Sequence, residues 1–134
     1  MRNPENTVTE RLPSAEARGV LVVDDDDDVR PILCFYVKAL GFRPFPAASG
    51  AEAVEVLHLH ASEVGAALVD LHMRGLSGLR TVAALRSQKP QLPCCLVSGD
   101  LITPELLQTA GVQCVLEKPF TREAVAVCLR NFWA

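Results

Sequence analysis

VLVVDDDDDV, residues 20–29, joins four apolar residues directly to five aspartates and a valine. The run VLVV is short, continuous and β-branched, the mark of a strand buried on both faces. The residues after it, VRPILCFYVKALGF (29–42), change period: Val29, Ile32, Leu33, Tyr36, Val37 and Leu40 fall on one face of a helix, and Gly41 supplies a stop. Pro31 lies in the first turn, where its missing N–H costs little. A buried strand, an acidic turn and an amphipathic helix therefore follow one another within about twenty residues.

The same alternation continues to the C-terminus. RPFPAA (43–48) reads as a weaker strand whose prolines suit a sheet edge. Ser49 and Glu52 form an S-x-x-E capping box before the helix AEAVEVLHLHA. AALVD (66–70) is a buried strand; Gly75 and Gly78 mark a loop, and LRTVAALRSQ is a helix. LPCCLVS (92–98) is a fourth strand. Thr103 and Pro104 open the helix PELLQTA as cap and first-turn proline. VQCVLE (112–117) is a fifth strand, and Thr121 caps REAVAVCLRNF. Five near-continuous apolar strands alternating with five helices imply a parallel sheet covered on both faces. Right-handed crossovers then favour an α/β fold, a doubly wound three-layer sandwich.

Bulk properties narrow the function. The chain has 134 residues, 49% of them hydrophobic, with a formal net charge of −3. That suits one domain with a real core and gives no general case for nucleic-acid binding. No apolar run approaches the ~20 residues that span a bilayer. Residues 1–18 lack the apolar centre of a secretory signal and read as a polar, mobile tail before a domain over 19–134. Cys34, Cys94, Cys95, Cys114 and Cys128 form no C-x-x-C pair and are expected to be buried, reduced thiols in a cytoplasmic protein. His58 and His60, two apart on a helix, point different ways and read as surface or boundary residues rather than zinc ligands.

Ligands of such sheets bind at the carboxyl ends of the strands. There the first strand ends in Asp24 and Asp25, the third in Asp70 and the fourth in Ser98, while the fifth leads to Lys118. Three crowded carboxylates repel unless some take up protons or a cation intervenes. Carboxylate oxygens suit Mg²⁺, which keeps waters and seeks phosphate oxygens. A lysine and a serine opposite suit a phosphoryl group. The set suggests an aspartate nucleophile toward phosphorus.

LVVDDDDDVRPIL, ALVDLHMRGLSGL, LPCCLVSGD and VLEKPF, in that order and at those strand ends, resemble the receiver domains of bacterial two-component response regulators over about residues 19–132. The resemblance implies the flavodoxin-like (βα)5 sandwich of a single-domain phosphoacceptor in a phosphorelay. It implies that Asp70 accepts the phosphoryl group, that Asp25 and Asp70 ligate Mg²⁺ by carboxylate and His72 by its backbone carbonyl, and that Asp24 supports the metal through water. Ser98 then stands at the switch position, Lys118 pairs with a phosphoryl oxygen, and the Lys118–Pro119 bond is cis in much of the family. The implied partners are a sensor histidine kinase or histidine phosphotransfer protein and an unknown downstream protein, with no membrane and no direct nucleic acid. The only catalysis implied is the domain's own phosphorylation and dephosphorylation. Because the chain ends just after the last helix, output by protein–protein contact, or passage of the phosphate to another protein, is expected.

The sequence also departs from the family pattern. Arg74 stands where proline usually follows the residue at 73, either solvated or approaching the phosphoryl group. Val115 replaces the switch aromatic, which puts the usual relay in doubt. His72 and Asp100, each two residues beyond a key position, flank the path of an attacking water. Within the acidic run, Asp24 and Asp25 are assigned to the metal, Asp26 is left open, and Asp27 and Asp28 are expected to cap the helix. A pseudo-receiver, an interaction module that is never phosphorylated, is the alternative. A phosphatase of haloacid-dehalogenase type fits less well, since His72 stands where a second acid is needed. A flavodoxin-type flavin site fits worst, because five aspartates repel the flavin phosphate.

Overall fold

The computed structural model describes residues 17–112 and 114–133. Five strands, β1 (Gly19–Val23), β2 (Arg43–Ala47), β3 (Val64–Asp70), β4 (Cys94–Ser98) and β5 (Cys114–Glu117), alternate with five helices. The helices are α1 (Val29–Ala39), α2 (Gly50–Leu59), α3 (Gly78–Gln88), α4 (Pro104–Ala110) and α5 (Arg122–Phe132). All pairings are parallel, in the order β2-β1-β3-β4-β5. The expected doubly wound α/β/α sandwich is what forms. Of the expected polar tail, residues 1–16 lie outside the described residues; Ala17 is buried and the Arg18 guanidinium stacks 4.3 Å over the Phe42 ring.

The three central strands bury every residue, which is why they read as unbroken apolar runs. β2 lies at an edge, where Pro44 and Pro46 remove no needed sheet donor. Side chains alternate between two apolar clusters. One gathers Leu21, Ala67, Val69 and Leu96 with α2, α3 and α4; the other gathers Val20, Val22, Leu68 and Val97 with α1 and α5.

The helix starts follow the sequence closely, with one exception. Ser49 Oγ accepts from the Glu52 N–H, Thr103 Oγ1 from Leu106 and Thr121 Oγ1 from Ala124. At α1, Asp28 occupies the cap position but its side chain caps nothing. Asp26 Oδ1 instead accepts from the Asp28 and Val29 N–H groups at 2.8 and 3.3 Å. The expectation that Asp27 and Asp28 cap this helix is therefore corrected: the turn swings Asp26 under the helix start, and Asp27 reaches out to Arg30 at 2.6 Å.

A second correction concerns the cysteines. Cys34, Cys94 and Cys95 are free, but Cys114 and Cys128 are joined in a disulfide, so the expectation of five reduced thiols fails for that pair. Spacing along the chain could not reveal it, because β5 and α5 meet only when the crossover closes.

Candidate phosphoryl and metal site

The parallel sheet brings the strand ends to one rim. Asp24 follows β1, Asp70 ends β3, Ser98 ends β4 and Lys118 follows β5. One carboxylate oxygen from each of Asp24, Asp25 and Asp70 lies within 4.8 Å of the other two. Asp24 is 1% exposed and Asp70 5% exposed, deep enough that their charges are poorly hydrated.

Lys118 answers part of that charge. Its Nζ donates to Asp70 Oδ1 at 3.3 Å and stands 3.4 Å from Asp24 Oδ2. The latter contact lacks hydrogen-bond geometry, so the buried Asp24 Oδ2 accepts no hydrogen bond. Asp24 Oδ1 is held by the Asp26 N–H at 2.9 Å, and Arg30 Nη1 donates to the Asp24 carbonyl at 2.7 Å. Burial raises the Asp70 pKa above its ordinary value, and the Asp24 charge adds to this, while Lys118 pulls it back. Burial pushes the Lys118 ammonium down, but the Asp24 and Asp70 charges outweigh it and its pKa is raised.

Asp25 is partly exposed at the rim. The Arg74 N–H donates to its Oδ2 at 3.1 Å, with Arg74 Nε at 3.5 Å, and this donation holds the Asp25 pKa below its ordinary value. The Arg74 side chain is 93% exposed, so this residue meets the site chiefly through its backbone. Ser98 is buried; its hydroxyl accepts from the Asp100 N–H at 3.0 Å and donates to the Asp100 carbonyl at 3.3 Å. The Lys118 N–H donates to the Ser98 carbonyl at 2.8 Å, tying the two strand ends together. The Lys118–Pro119 bond is cis.

The structure thus gathers Asp24, Asp25, Asp70 and Lys118 tightly, with Ser98 on the adjoining strand end. The side chain of His72 points elsewhere: Nε2 pairs with Asp100 Oδ2 at 2.8 Å, both groups well exposed at the rim. The sequence marks both positions but not their pairing, which joins residues twenty-eight apart in the chain. Nor does it show what Gly78 does. A Cβ at Gly78 would fall 2.3 Å from the Asp70 carbonyl oxygen, so glycine lets α3 start against the end of β3.

A family model for the response regulator receiver domain matches residues 20–130. The chain belongs to this family. It is a receiver domain of two-component signalling. A response regulator receiver protein from Pseudomonas putida shares 28% identity and a TM-score of 0.76, covering 88% of this chain and 99% of its own. Chemotaxis protein CheY4 from Vibrio cholerae shares 25% identity and a TM-score of 0.76, covering 85% of this chain and 97% of its own. A putative NtrX-like response regulator from Rickettsia bellii is 29% identical over 116 residues, 84% of this chain. The chain spans only 24% of that relative's length. No helix among the described residues is long and apolar enough to cross a membrane.

Proposed function

We propose that this receiver domain takes a phosphoryl group onto Asp70 from a phosphohistidine, borne by a sensor histidine kinase or a histidine phosphotransfer protein. The observation that carries the reading is the convergence of Asp24, Asp25 and Asp70 with Lys118 at one rim. An Asp70 carboxylate oxygen attacks phosphorus, the P–N bond to the donor imidazole breaks, and an aspartyl phosphate results. Lys118, already beside Asp70, would balance the incoming negative charge. The Ser98 hydroxyl would exchange its Asp100 carbonyl acceptor for a phosphoryl oxygen.

The residues fit a divalent cation. An orphaned buried oxygen on Asp24 and the raised pKa of Asp70 both mark negative charge that Lys118 alone does not satisfy. Asp25 and Asp70, with the His72 carbonyl, would hold Mg²⁺, and Asp24 would support it through water. When bound, Mg²⁺ supplies charge neutralisation for phosphoryl oxygens. Beside the site, Val29, Ile32, Tyr36, Pro119 and Phe120 line an apolar groove that offers a donor protein a place to rest. Beyond its own phosphorylation and dephosphorylation the domain catalyses nothing in this reading. Output passes by protein–protein contact through α4, β5 and α5, where Val115 is partly exposed and has no aromatic swing to make.

The pseudo-receiver reading draws on Arg74, whose N–H already occupies Asp25 Oδ2. Incubation with Mg²⁺ and acetyl phosphate separates the two. The expected result is a gain of about 80 Da, one phosphoryl group, on the wild-type chain and none on Asp70→Asn. No gain on either, together with no NMR shift on adding Mg²⁺ and beryllofluoride, would establish the pseudo-receiver.

A further inference from the structure

Away from the acidic rim, three sulfurs converge. Cys95 on β4 and Cys114 on β5 are register partners in the parallel sheet, and Cys128 of α5 packs over them in the same apolar cluster. One sulfur from each residue lies within 4.8 Å of the other two. Cys95 and Cys128 are buried and their sulfurs are 3.0 Å apart; Cys114 is half-buried at the start of an edge strand. The Cα atoms of Cys114 and Cys128 are 6.5 Å apart, a span a disulfide can bridge, and the structure joins them.

Such a cluster has two chemical uses, a soft metal or a dithiol–disulfide pair. A trigonal metal site needs three thiolates, and a structural zinc site needs four ligands. Burial, with Cys94 next to it, raises the Cys95 thiol pKa far above the ordinary range, while Cys114 and Cys128 are already joined to each other. Among the described residues no histidine or carboxylate joins the three sulfurs. Two sulfurs remain for chemistry.

We propose that Cys114 and Cys128 form a reversible disulfide, a redox-modified site that clamps α5 to β5, closed by a low-molecular-weight disulfide and opened by a dithiol. The half-buried Cys114 loses its proton to solvent and its thiolate attacks one sulfur of the small disulfide, releasing one small thiolate. Cys128, deprotonated in turn, attacks the Cys114 sulfur and releases the second, so the protein is oxidised by two electrons and the reagent reduced by two. β5 is four residues long, is paired among the described residues with β4 alone, and leads directly into Lys118. A covalent tie at its first residue limits how far this edge can open.

The test uses the full chain, reduced with dithiothreitol or oxidised with oxidised glutathione, then alkylated and mapped by mass spectrometry. The oxidised form should lose about 2 Da, carry a Cys114–Cys128 crosslink and leave the other three cysteines alkylatable on unfolding. It should melt roughly 10 °C higher than the reduced form, with slower amide exchange in β5 and α5. Cys114→Ser and Cys128→Ser should each abolish the redox dependence of melting, and Cys34→Ser should keep it. A crosslink through Cys95, no crosslink, or equal melting of both forms would overturn the proposal. So would one equivalent of Zn²⁺ or Cu⁺ protecting all three cysteines of the reduced protein from alkylation.

Discussion

Replacing Asp26 with alanine removes the acceptor for the Asp28 and Val29 N–H groups at the start of α1. Urea unfolding is expected to show a loss of about 1 kcal/mol. Asp27→Ala removes only an exposed pair with Arg30 and should cost roughly 0.5 kcal/mol or less. Asp25→Ala is expected to abolish Mg²⁺ binding in a calorimetric titration and Mg²⁺-dependent phosphoryl loading; an equal loss of loading in Asp27→Ala would refute this division of the acidic run. Asp70 gives a pH signature. Its folded pKa is raised above the ordinary 3.8, so the folded protein holds that proton more tightly than the unfolded chain does. Its ionisation therefore subtracts stability as pH rises through the folded value, and subtracts nothing below 3.8. Asp25 has the opposite sign: its lowered pKa adds stability above 3.8 that is lost as pH falls. Without Mg²⁺, Asp70→Asn should stabilise the protein at pH 7 and do so much less near pH 4. Equal urea-midpoint shifts at the two pH values would contradict that.

Among the elements, α3 is the one whose placement the site depends on most directly. Gly78→Ala would force a Cβ against the Asp70 carbonyl and Leu71 Cα, both backbone and unable to swing aside. A loss of roughly 1–3 kcal/mol is expected, measurable by urea unfolding, with slower phosphoryl loading because the Asp70 end of β3 must shift. α4 has the opposite character. It is seven residues long, buries no residue fully, and packs through half-buried Leu106, Leu107 and Ala110. Its amides are expected to exchange faster than those of the other helices by hydrogen-exchange mass spectrometry. Thr103→Ala should weaken it further, by about 1 kcal/mol, through loss of the cap on Leu106.

Across the whole molecule, the sheet is held between two apolar clusters, and Leu68, on the middle strand β3, is fully buried in the one beneath α1 and α5. Leu68→Ala is expected to cost roughly 2–5 kcal/mol in urea unfolding, from lost burial and the cavity left behind. The elements could be read before folding because helix and strand periods are local: the run at Val20–Val23 and the spacing from Val29 to Leu40 each carry their own signature. The parallel order followed from continuous apolar strands, and the gathering of Asp24, Asp25, Asp70, Ser98 and Lys118 at one rim followed from that order. What stayed illegible depends on contacts between segments far apart in the chain, or on the sense of a turn. Arg74 reaches Asp25 across forty-nine positions, His72 meets Asp100, Gly78 nests on the Asp70 carbonyl, and Cys114 meets Cys128. Asp26 rather than Asp28 caps α1 because the turn geometry, and not residue type, decides which carboxylate lies beneath the free N–H groups. By itself the sequence determined the layers of this protein and which residues gather at its acidic rim. Tertiary structure alone decided how those side chains pair, because hydrogen bonds and ion pairs require positions set to a few tenths of an ångström, which exist only after the sheet and its helices close.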